Sequence, residues 1–345
     1  MTPPVSSVVP KVSVAMITYN HEKYIAQAIE SVLMQKTSFP VELVVGEDCS
    51  KDATRRIVQE YARNHSAKIR PLLHERNVGM HANFQSAITA CRGLYIAILE
   101  GDDFWTANDK LQRQADFLDS HPDCPLCFHR ARMLFQKDPS KSDEWPPARI
   151  RQGEYSAAEL LTENPVPTCS VLLRRCQIPV LPRELCKLPM GDWPMWILMS
   201  LRGKVRYLDE PMAVYRCHEG GVWSSMTEVQ QFAVVSEMLS RLASALPRRL
   251  QKAARALSRK SSRKAMRLTR LRELVASLSA EQRLAHCGGV ARSLVADPGI
   301  VLWRPYASSL LKLALKVGLG PRILARVEGW ARRRFSTPAP STPAR

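Results

Sequence analysis

The feature that most constrains the fold is an alternation of apolar runs and helix-like segments over the first 120 residues. Four apolar runs have the length of strands, and each is followed by polar residues: Val12 to Thr18, Val41 to Glu47, Lys68 to Leu73 and Leu94 to Leu99. Helical spacing of apolar residues occurs in three other segments: Glu22 to Met34, Asp52 to Asn64 and Asn108 to Asp119. Strands that alternate with helices form a parallel sheet covered on both faces. The sequence therefore predicts an α/β fold.

Polar residues follow the predicted strands in four clusters. They are Tyr19-Asn20, Asp48-Cys49-Ser50, Arg76-Asn77 and Asp102-Asp103. Ligands bind such sheets outside the carboxyl ends of the strands. The four clusters would gather at this edge, so the sequence predicts a binding site there.

The pair Asp102-Asp103 directly follows a buried strand. Adjacent carboxylates repel each other unless a cation or hydrogen-bond donors satisfy them, and an oxygen-binding ion such as Mn2+ or Mg2+ suits them. The alternative is a loop in which one aspartate caps the following helix. The chain has no GxxxxGK[ST] or GxGxxG phosphate loop.

Four segments carry a family resemblance: VSVAMITYN (12–20), GEDCSKDAT (46–54), NVG (77–79) and EGDDFW (100–105). In order and spacing they resemble the signatures of bacterial, inverting family-two glycosyltransferases with the GT-A fold. The resemblance is strong over residues 10–130 and looser to 225. It implies a Rossmann-like, mainly parallel sheet with helices on both faces. It also implies transfer of a sugar from a nucleotide sugar, with UDP the expected nucleotide.

The resemblance implies a donor site at the predicted sheet edge. Tyr19 would lie against the base, Asp48 would accept a hydrogen bond from a ring N–H, and Asn77 would belong to the same nucleotide-sugar site. Asp102 would face the ribose or the metal, and Asp103 would be the direct metal ligand. Without the resemblance, Tyr19 is an ordinary loop aromatic and Asp48 the start of an Asx turn.

The acceptor side needs a base, because the attacking hydroxyl must lose a proton. Asp192 resembles the family's acidic residue at the start of an acceptor-side helix. Its alternative role is the N-cap of the helix containing Trp196 to Met199. Further on, the resemblance implies that Arg216 or His218 reaches the diphosphate or completes the metal shell. Trp223 would cover the bound donor.

Composition predicts a large α/β domain with an extension. The 345 residues are 45% hydrophobic, enough for a sizeable core. The first ten residues lack the apolar stretch of a secretion signal, and no apolar run is long enough to span a membrane. We therefore expect a cytoplasmic protein whose nine cysteines are reduced thiols.

The predicted organisation has four parts. They are an N-terminal tail (1–10), a GT-A catalytic domain (11–227), a basic helical extension (228–334) and a Pro-rich disordered tail (335–345). The catalytic domain would divide into a nucleotide-binding half (11–105) and an acceptor half (106–227).

The net charge of +18 is concentrated in the extension. Residues 248–272 contain eleven Lys or Arg and no acidic residue. Such a stripe attracts polyanions, either anionic lipids or nucleic acid. Residues 302–334 interleave apolar and aromatic side chains with basic ones, which suits either a membrane interface or a helical layer on the catalytic domain. If the target is anionic lipid, we expect the protein on the inner face of the cytoplasmic membrane.

The function predicted from these features is metal-dependent, inverting glycosyl transfer. The donor is a nucleotide sugar, and the acceptor is a glycan or glycolipid hydroxyl in envelope polysaccharide or lipopolysaccharide synthesis. One alternative is a nucleic-acid-binding protein that uses residues 248–272. It is less favoured, because the acidic site is intact and the stripe lacks interleaved aromatics. A nucleotidyltransferase on the same fold would need a basic phosphate cradle, which the sequence lacks.

Overall fold

The computed structural model describes residues 9–147, 150 and 153–277. Residues up to Ala265 form one compact unit, and a second unit begins at Met266. Only residues 266–277 of the second unit are described. The predicted interfacial segment 302–334 and the Pro-rich tail 335–345 lie outside the described residues.

The described strands form one mixed sheet in the order β3-β2-β1-β4-β9-β6-β10-β5, with β7 beside β6 and β8 beside β10. The strands are β1 Val12–Thr18, β2 Val41–Glu47, β3 Ile69–Leu73, β4 Tyr95–Glu100, β5 Phe104–Trp105, β6 Leu126–Phe135, β7 Ser142–Trp145, β8 Gly153–Tyr155, β9 Leu172–Arg174 and β10 Val205–Cys217. The described α-helices are α1 Ile25–Leu33, α2 Thr54–Asn64, α3 Met80–Ala90, α4 Lys110–Ser120, α5 Ala157–Thr162, α6 Asp192–Met199, α7 Glu228–Leu242 and α8 Arg248–Ser277.

The first four strands in this order, β3-β2-β1-β4, are parallel, as the sequence predicts. Both faces of this part are covered, because Val14 and Met16 belong to one hydrophobic cluster and Ala15 to another. Strand β9 then runs antiparallel to both β4 and β6. The α/β prediction is confirmed, with antiparallel pairing confined to the half that follows β4.

Helix α3 is an element that the sequence analysis did not predict. Its narrow buried face contains Asn83, Ala87 and Ile88, so the apolar periodicity is weak. The helix lies close to β2, where Asn83 Nδ2 donates to the carbonyl oxygen of Gly46 at 2.9 Å. A Cβ at Gly46 would lie 2.2 Å from Asn83 Oδ1, so the close approach depends on glycine. This helix positions the turn that precedes it at the site.

Helices α7 and α8 pack on each other within the first unit. The hydroxyl of Ser236 donates to the carbonyl of Ser258 at 2.9 Å, and the hydroxyl of Ser258 donates back to the carbonyl of Ser236 at 2.8 Å. Residues 228–265 thus belong to the same compact unit as the sheet. The division at residue 227 stays a prediction. In the described part of the chain, no helix is long and apolar enough to cross a membrane.

Candidate active site

The carboxyl ends of β1, β2 and β4 meet at one edge of the sheet, as predicted. Ile17 of β1 is level with Gly46 of β2 and with Glu100 of β4. The loops that follow β1 and β2 contain Asn20 and Cys49 at φ of 55° and 57°, a conformation uncommon outside glycine. Backbone strain of this kind concentrates at functional sites.

The carboxylate of Asp48 is buried and holds the turn before α3. Its two oxygens accept from the backbone N–H of Val78 at 2.7 Å and of Gly79 at 3.0 Å. The Asn77 side chain donates to the carbonyl oxygen of Asp48 at 3.1 Å. Asp48 therefore has a structural role in the turn before α3, rather than in the Asx turn that the sequence alone suggests. Each carboxylate oxygen has two lone pairs, so a ligand N–H can still be accepted.

Asp102 lies between two histidines. Its Oδ2 is 2.9 Å from Nε2 of His218 and 3.7 Å from Nε2 of His21. Burial alone would raise the pKa of Asp102, but the hydrogen bond from His218 and the electrostatic interaction with His21 bring that pKa below its ordinary value. Asp102 is therefore ionised at neutral pH. His218 lies behind Asp102 rather than beside Asp103.

A negative charge on the carboxyl groups of Glu100 and Asp103 would be poorly compensated. Burial, followed by the charge of Asp102, raises the pKa of Asp103 well above its usual range. Burial, followed by the charges of Asp103 and Asp102, does the same for Glu100. Among the described residues, Glu100 Oε2 has no hydrogen-bond partner although it is buried. A cation at this point would relieve both effects.

The donor set fits a hard divalent cation completed by a phosphate ligand. No three His, Cys, Asp or Glu side chains in the described ranges surround one ion position. Mg2+ commonly takes only one or two protein carboxylates together with substrate phosphates, so a full protein cage is not required. The orphaned oxygen of Glu100 and the adjoining carboxylates of Asp102 and Asp103 are oxygen donors of the right chemistry.

Arg216 is fixed beside these carboxylates by its own contacts. Its backbone N–H donates to Asp103 Oδ1 at 2.8 Å. Its guanidinium donates to the carbonyl of Asp102 and to Gln27 Oε1, and it lies 4.5 Å from the ring centroid of Phe104. The guanidinium is therefore a positioned positive charge at the wall of the site.

Asp192 is the first residue of α6, and Gly191 occupies the cap position, so the predicted N-cap alternative for Asp192 is wrong by one residue. Thr168 Oγ1 donates to Asp192 Oδ2 at 2.8 Å. The ring of His81 packs against Gly191, where a Cβ would lie 2.6 Å from His81 Cε1. These contacts fix the carboxylate at the start of the helix.

One cavity of about 450 Å³ joins the two sides of the site. Most of the predicted site residues line it, namely Tyr19, Asp48, Asp102, Asp103, Asp192, Arg216 and Trp223. Asn77 and His218 do not line this cavity and instead contact Asp48 and Asp102 from behind. The opposite wall is largely apolar, with Phe84, Trp145, Met190, Trp193 and Met195. Trp196 is fully buried in the core.

Sequence reasoning missed His21. It indicated the segment Asn164 to Ser170 only as a border of the acceptor pocket, and Asn164 and Thr168 of this segment line the cavity. His21 directly follows Tyr19-Asn20, so the rule that sites form at strand ends could have included it. The thiol of Cys169 lies beside the carboxylate of Asp103, and Thr168 contacts Asp192. The sequence did not indicate these two individual contacts. The turn Thr168–Ser170 therefore links the two acidic groups through space.

Comparison with known proteins gives a family model and several relatives. The model described as glycosyl transferase family 2 matches residues 13–176. An uncharacterized protein of Mycobacterium tuberculosis is 39% identical over 222 residues, which are 64% of this chain and 63% of that protein. TuaG of Bacillus subtilis, provisionally named a teichuronic acid biosynthesis glycosyltransferase, is 37% identical over 219 residues, 63% of this chain and 82% of TuaG. The match thus spans less than two thirds of the mycobacterial relative.

Two solved structures share the fold. TarS of S. aureus in complex with UDP-GlcNAc has a TM-score of 0.56 at 18% identity, covering 79% of this chain and 78% of that one. A mannosyltransferase of Pyrobaculum calidifontis in complex with GDP-Man and Mn2+ has a TM-score of 0.57 at 16% identity, and the match covers 91% of this chain and 87% of that one.

Proposed function

The chain belongs to glycosyltransferase family 2, and from this premise we propose that it transfers a sugar from a nucleotide-sugar donor to a hydroxyl group of an acceptor. The observation that carries the proposal is the shared cavity. It brings the acidic sheet edge with Asp102 and Asp103 together with the carboxylate of Asp192. A donor site and a base are the two parts that such a transfer needs.

The donor lies along the sheet edge in this proposal. Tyr19, half exposed at the rim, contacts the base, and Asp48 accepts from a ring N–H, as suits a uracil. Asn77 supports Asp48 from behind. Asp102 is held by His218 in a position to accept from the ribose or to share the metal. Trp223, on the loop after β10, covers the bound donor.

Asp103 would hold Mn2+ or Mg2+ together with the neighbouring carboxylates, and a cation held there would supply Lewis-acid stabilisation of the diphosphate leaving group. Arg216 adds a fixed positive charge on the same side. The mannosyltransferase solved with Mn2+ is consistent with this choice of ion.

Asp192 acts as the base. It takes the proton from the acceptor hydroxyl as that oxygen attacks the anomeric carbon from the side opposite the diphosphate, so the configuration inverts. Thr168 orients the carboxylate by donating to one of its oxygens, which leaves the other oxygen for the acceptor. The apolar wall with Trp193 and Met195 excludes water from the attack.

The acceptor is a glycan or glycolipid under construction for envelope polysaccharide or lipopolysaccharide. The name given to TuaG supports a cell-wall polysaccharide. The protein would act in the cytoplasm, where nucleotide sugars are supplied.

A panel of nucleotide sugars, tested for protection against thermal unfolding with and without Mn2+, tests the donor half of the proposal. We expect one uridine nucleotide sugar to raise the melting temperature only with the metal. Asp103→Asn should remove that metal-dependent gain, whereas Asp192→Asn should keep the gain and lose transfer. Protection by no nucleotide sugar would refute the donor site. Transfer that survives in Asp192→Asn would refute the assigned base.

A further inference from the structure

The outer face of α8 carries a dense positive charge. Every Lys and Arg between residues 248 and 264 is exposed: Arg248, Arg249, Lys252, Arg255, Arg259, Lys260, Arg263 and Lys264. The sequence has no acidic residue from 248 to 272. Among the salt bridges of the described residues, none involves Lys252, Arg259 or Arg263. This charge is therefore uncompensated.

The rotation of α8 is fixed by its inner face. Ala254 is fully buried, and Leu250 and Leu257 pack against the same hydrophobic cluster. At 100° per residue, Lys252, Arg259 and Arg263 lie on the side of the helix opposite Ala254. The stretch from 249 to 263 is about 20 Å long at 1.5 Å per residue. The basic groups thus form a straight, outward row that cannot turn towards the core.

Helix α7 connects this row to the acceptor flank of the cavity. Gln231 of α7 donates to the carbonyl of Trp223 at 3.1 Å, and Arg241 of α7 donates to the carbonyl of Glu184, a few residues before the cavity wall at Pro189. On α7, Ser236 exchanges hydrogen bonds with α8. The basic row therefore lies one helix layer, about 10 Å, behind the flank of the site.

We infer that the outer face of α8 docks the enzyme on an anionic lipid bilayer. A straight row of solvated cations is complementary to a plane of anionic head groups. Single-stranded nucleic acid is less well matched, because its bases need aromatic platforms and residues 248–272 contain none. The surface itself is independent of sugar transfer. Its use in meeting a lipid-bound acceptor rests on the proposed function.

Co-sedimentation of the full chain with vesicles tests the inference. The vesicles are phosphatidylcholine with about one third phosphatidylglycerol, and pure phosphatidylcholine is the reference. Each basic residue near an anionic surface contributes about fivefold to partitioning, so the triple variant Lys252→Gln, Arg259→Gln, Arg263→Gln should bind about a hundredfold more weakly. Added salt should also weaken the binding of the wild-type protein to the anionic vesicles.

The matched control removes three exposed charges elsewhere, in Lys36→Gln, Arg63→Gln, Lys68→Gln. It has the same net charge as the first triple variant and should lose little binding. Equal losses in the two triple variants, or unchanged binding in the first, would overturn the inference. So would wild-type protein that prefers single-stranded RNA to the anionic vesicles. Nucleotide-sugar protection against unfolding should persist in both variants, and this readout separates failure of docking from failure of the proposed donor site.

Discussion

Replacing Lys110 by methionine should stabilise the protein at neutral pH, and the gain should shrink as pH rises. Lys110 begins α4 and is fully buried. Its Nζ lies 4.0 Å from the ring centroid of Trp105, and among the described residues it has no hydrogen-bond partner. An ammonium group without such partners is costly to bury. Methionine keeps most of the volume without the charge.

The magnitude follows from the pKa of Lys110. Burial lowers this pKa from 10.5 to about 7, a difference that corresponds to about 5 kcal/mol at 1.36 kcal/mol per pH unit. Between these pH values the unfolded chain binds one more proton than the folded chain, so the free energy of unfolding rises with pH. The penalty is therefore about 4 kcal/mol at pH 7 and about 2 kcal/mol at pH 9.

Urea unfolding of wild type and Lys110→Met at several pH values from 7 to 9 measures this gap. The pH-dependent contributions of the other titratable groups are the same in both proteins and cancel when the two unfolding free energies are subtracted. His129, whose pKa is lowered by burial and then by the charge of Lys110, is uncharged across this range. Lys36→Met, at an exposed lysine, should give a difference that does not change with pH. A gap that is the same at pH 7 and pH 9 for Lys110→Met would refute the buried-lysine argument.

Three further outcomes are expected. Thr168→Val should lower kcat about tenfold, because it loses the hydrogen bond to Asp192, and the donor affinity should be kept. Thr168→Ser should restore the rate. A change in the donor KM alone would contradict this role. Gly203→Ala should destabilise the fold by about 1–3 kcal/mol in urea unfolding, because the new Cβ would lie 2.0 Å from a backbone carbonyl oxygen. Gly153→Ala, with nothing within 4 Å, is its control, and equal losses would refute the steric cause. Chelation of divalent ions should abolish transfer and Mn2+ should restore it in a coupled assay; full activity after chelation would exclude the metal role.

The predicted fold agrees with the structure best where burial is complete. The runs Val12 to Thr18 and Val41 to Glu47 coincide with β1 and β2, because a strand covered on both faces is apolar along most of its length. Helix α3 was not predicted, because its contact with β2 uses a small polar surface at Gly46 rather than an apolar stripe. The strand that the sequence indicates at Val171 to Arg174 is present as β9, but its antiparallel orientation was not predicted, since a three-residue strand carries almost no pattern.

The candidate site likewise contains residues that the sequence indicates and contacts that it does not. Residues placed at strand ends, such as Tyr19 and Asp103, could be found from the sequence, since parallel strands carry their ends to one edge. The contact of Thr168 with Asp192 joins residues 24 positions apart, and that of His218 with Asp102 joins residues 116 apart. Only the tertiary structure creates these contacts.

The sequence by itself determined the parallel nucleotide-side sheet and the acidic edge, because local apolar periodicity and strand polarity are sufficient for both. The tertiary structure decided the electrostatics. It buried Lys110 at the start of α4, left Glu100 Oε2 without a partner among the described residues and placed His218 on Asp102. Desolvation and charge coupling depend on neighbours from distant parts of the chain, and no local pattern encodes those neighbours.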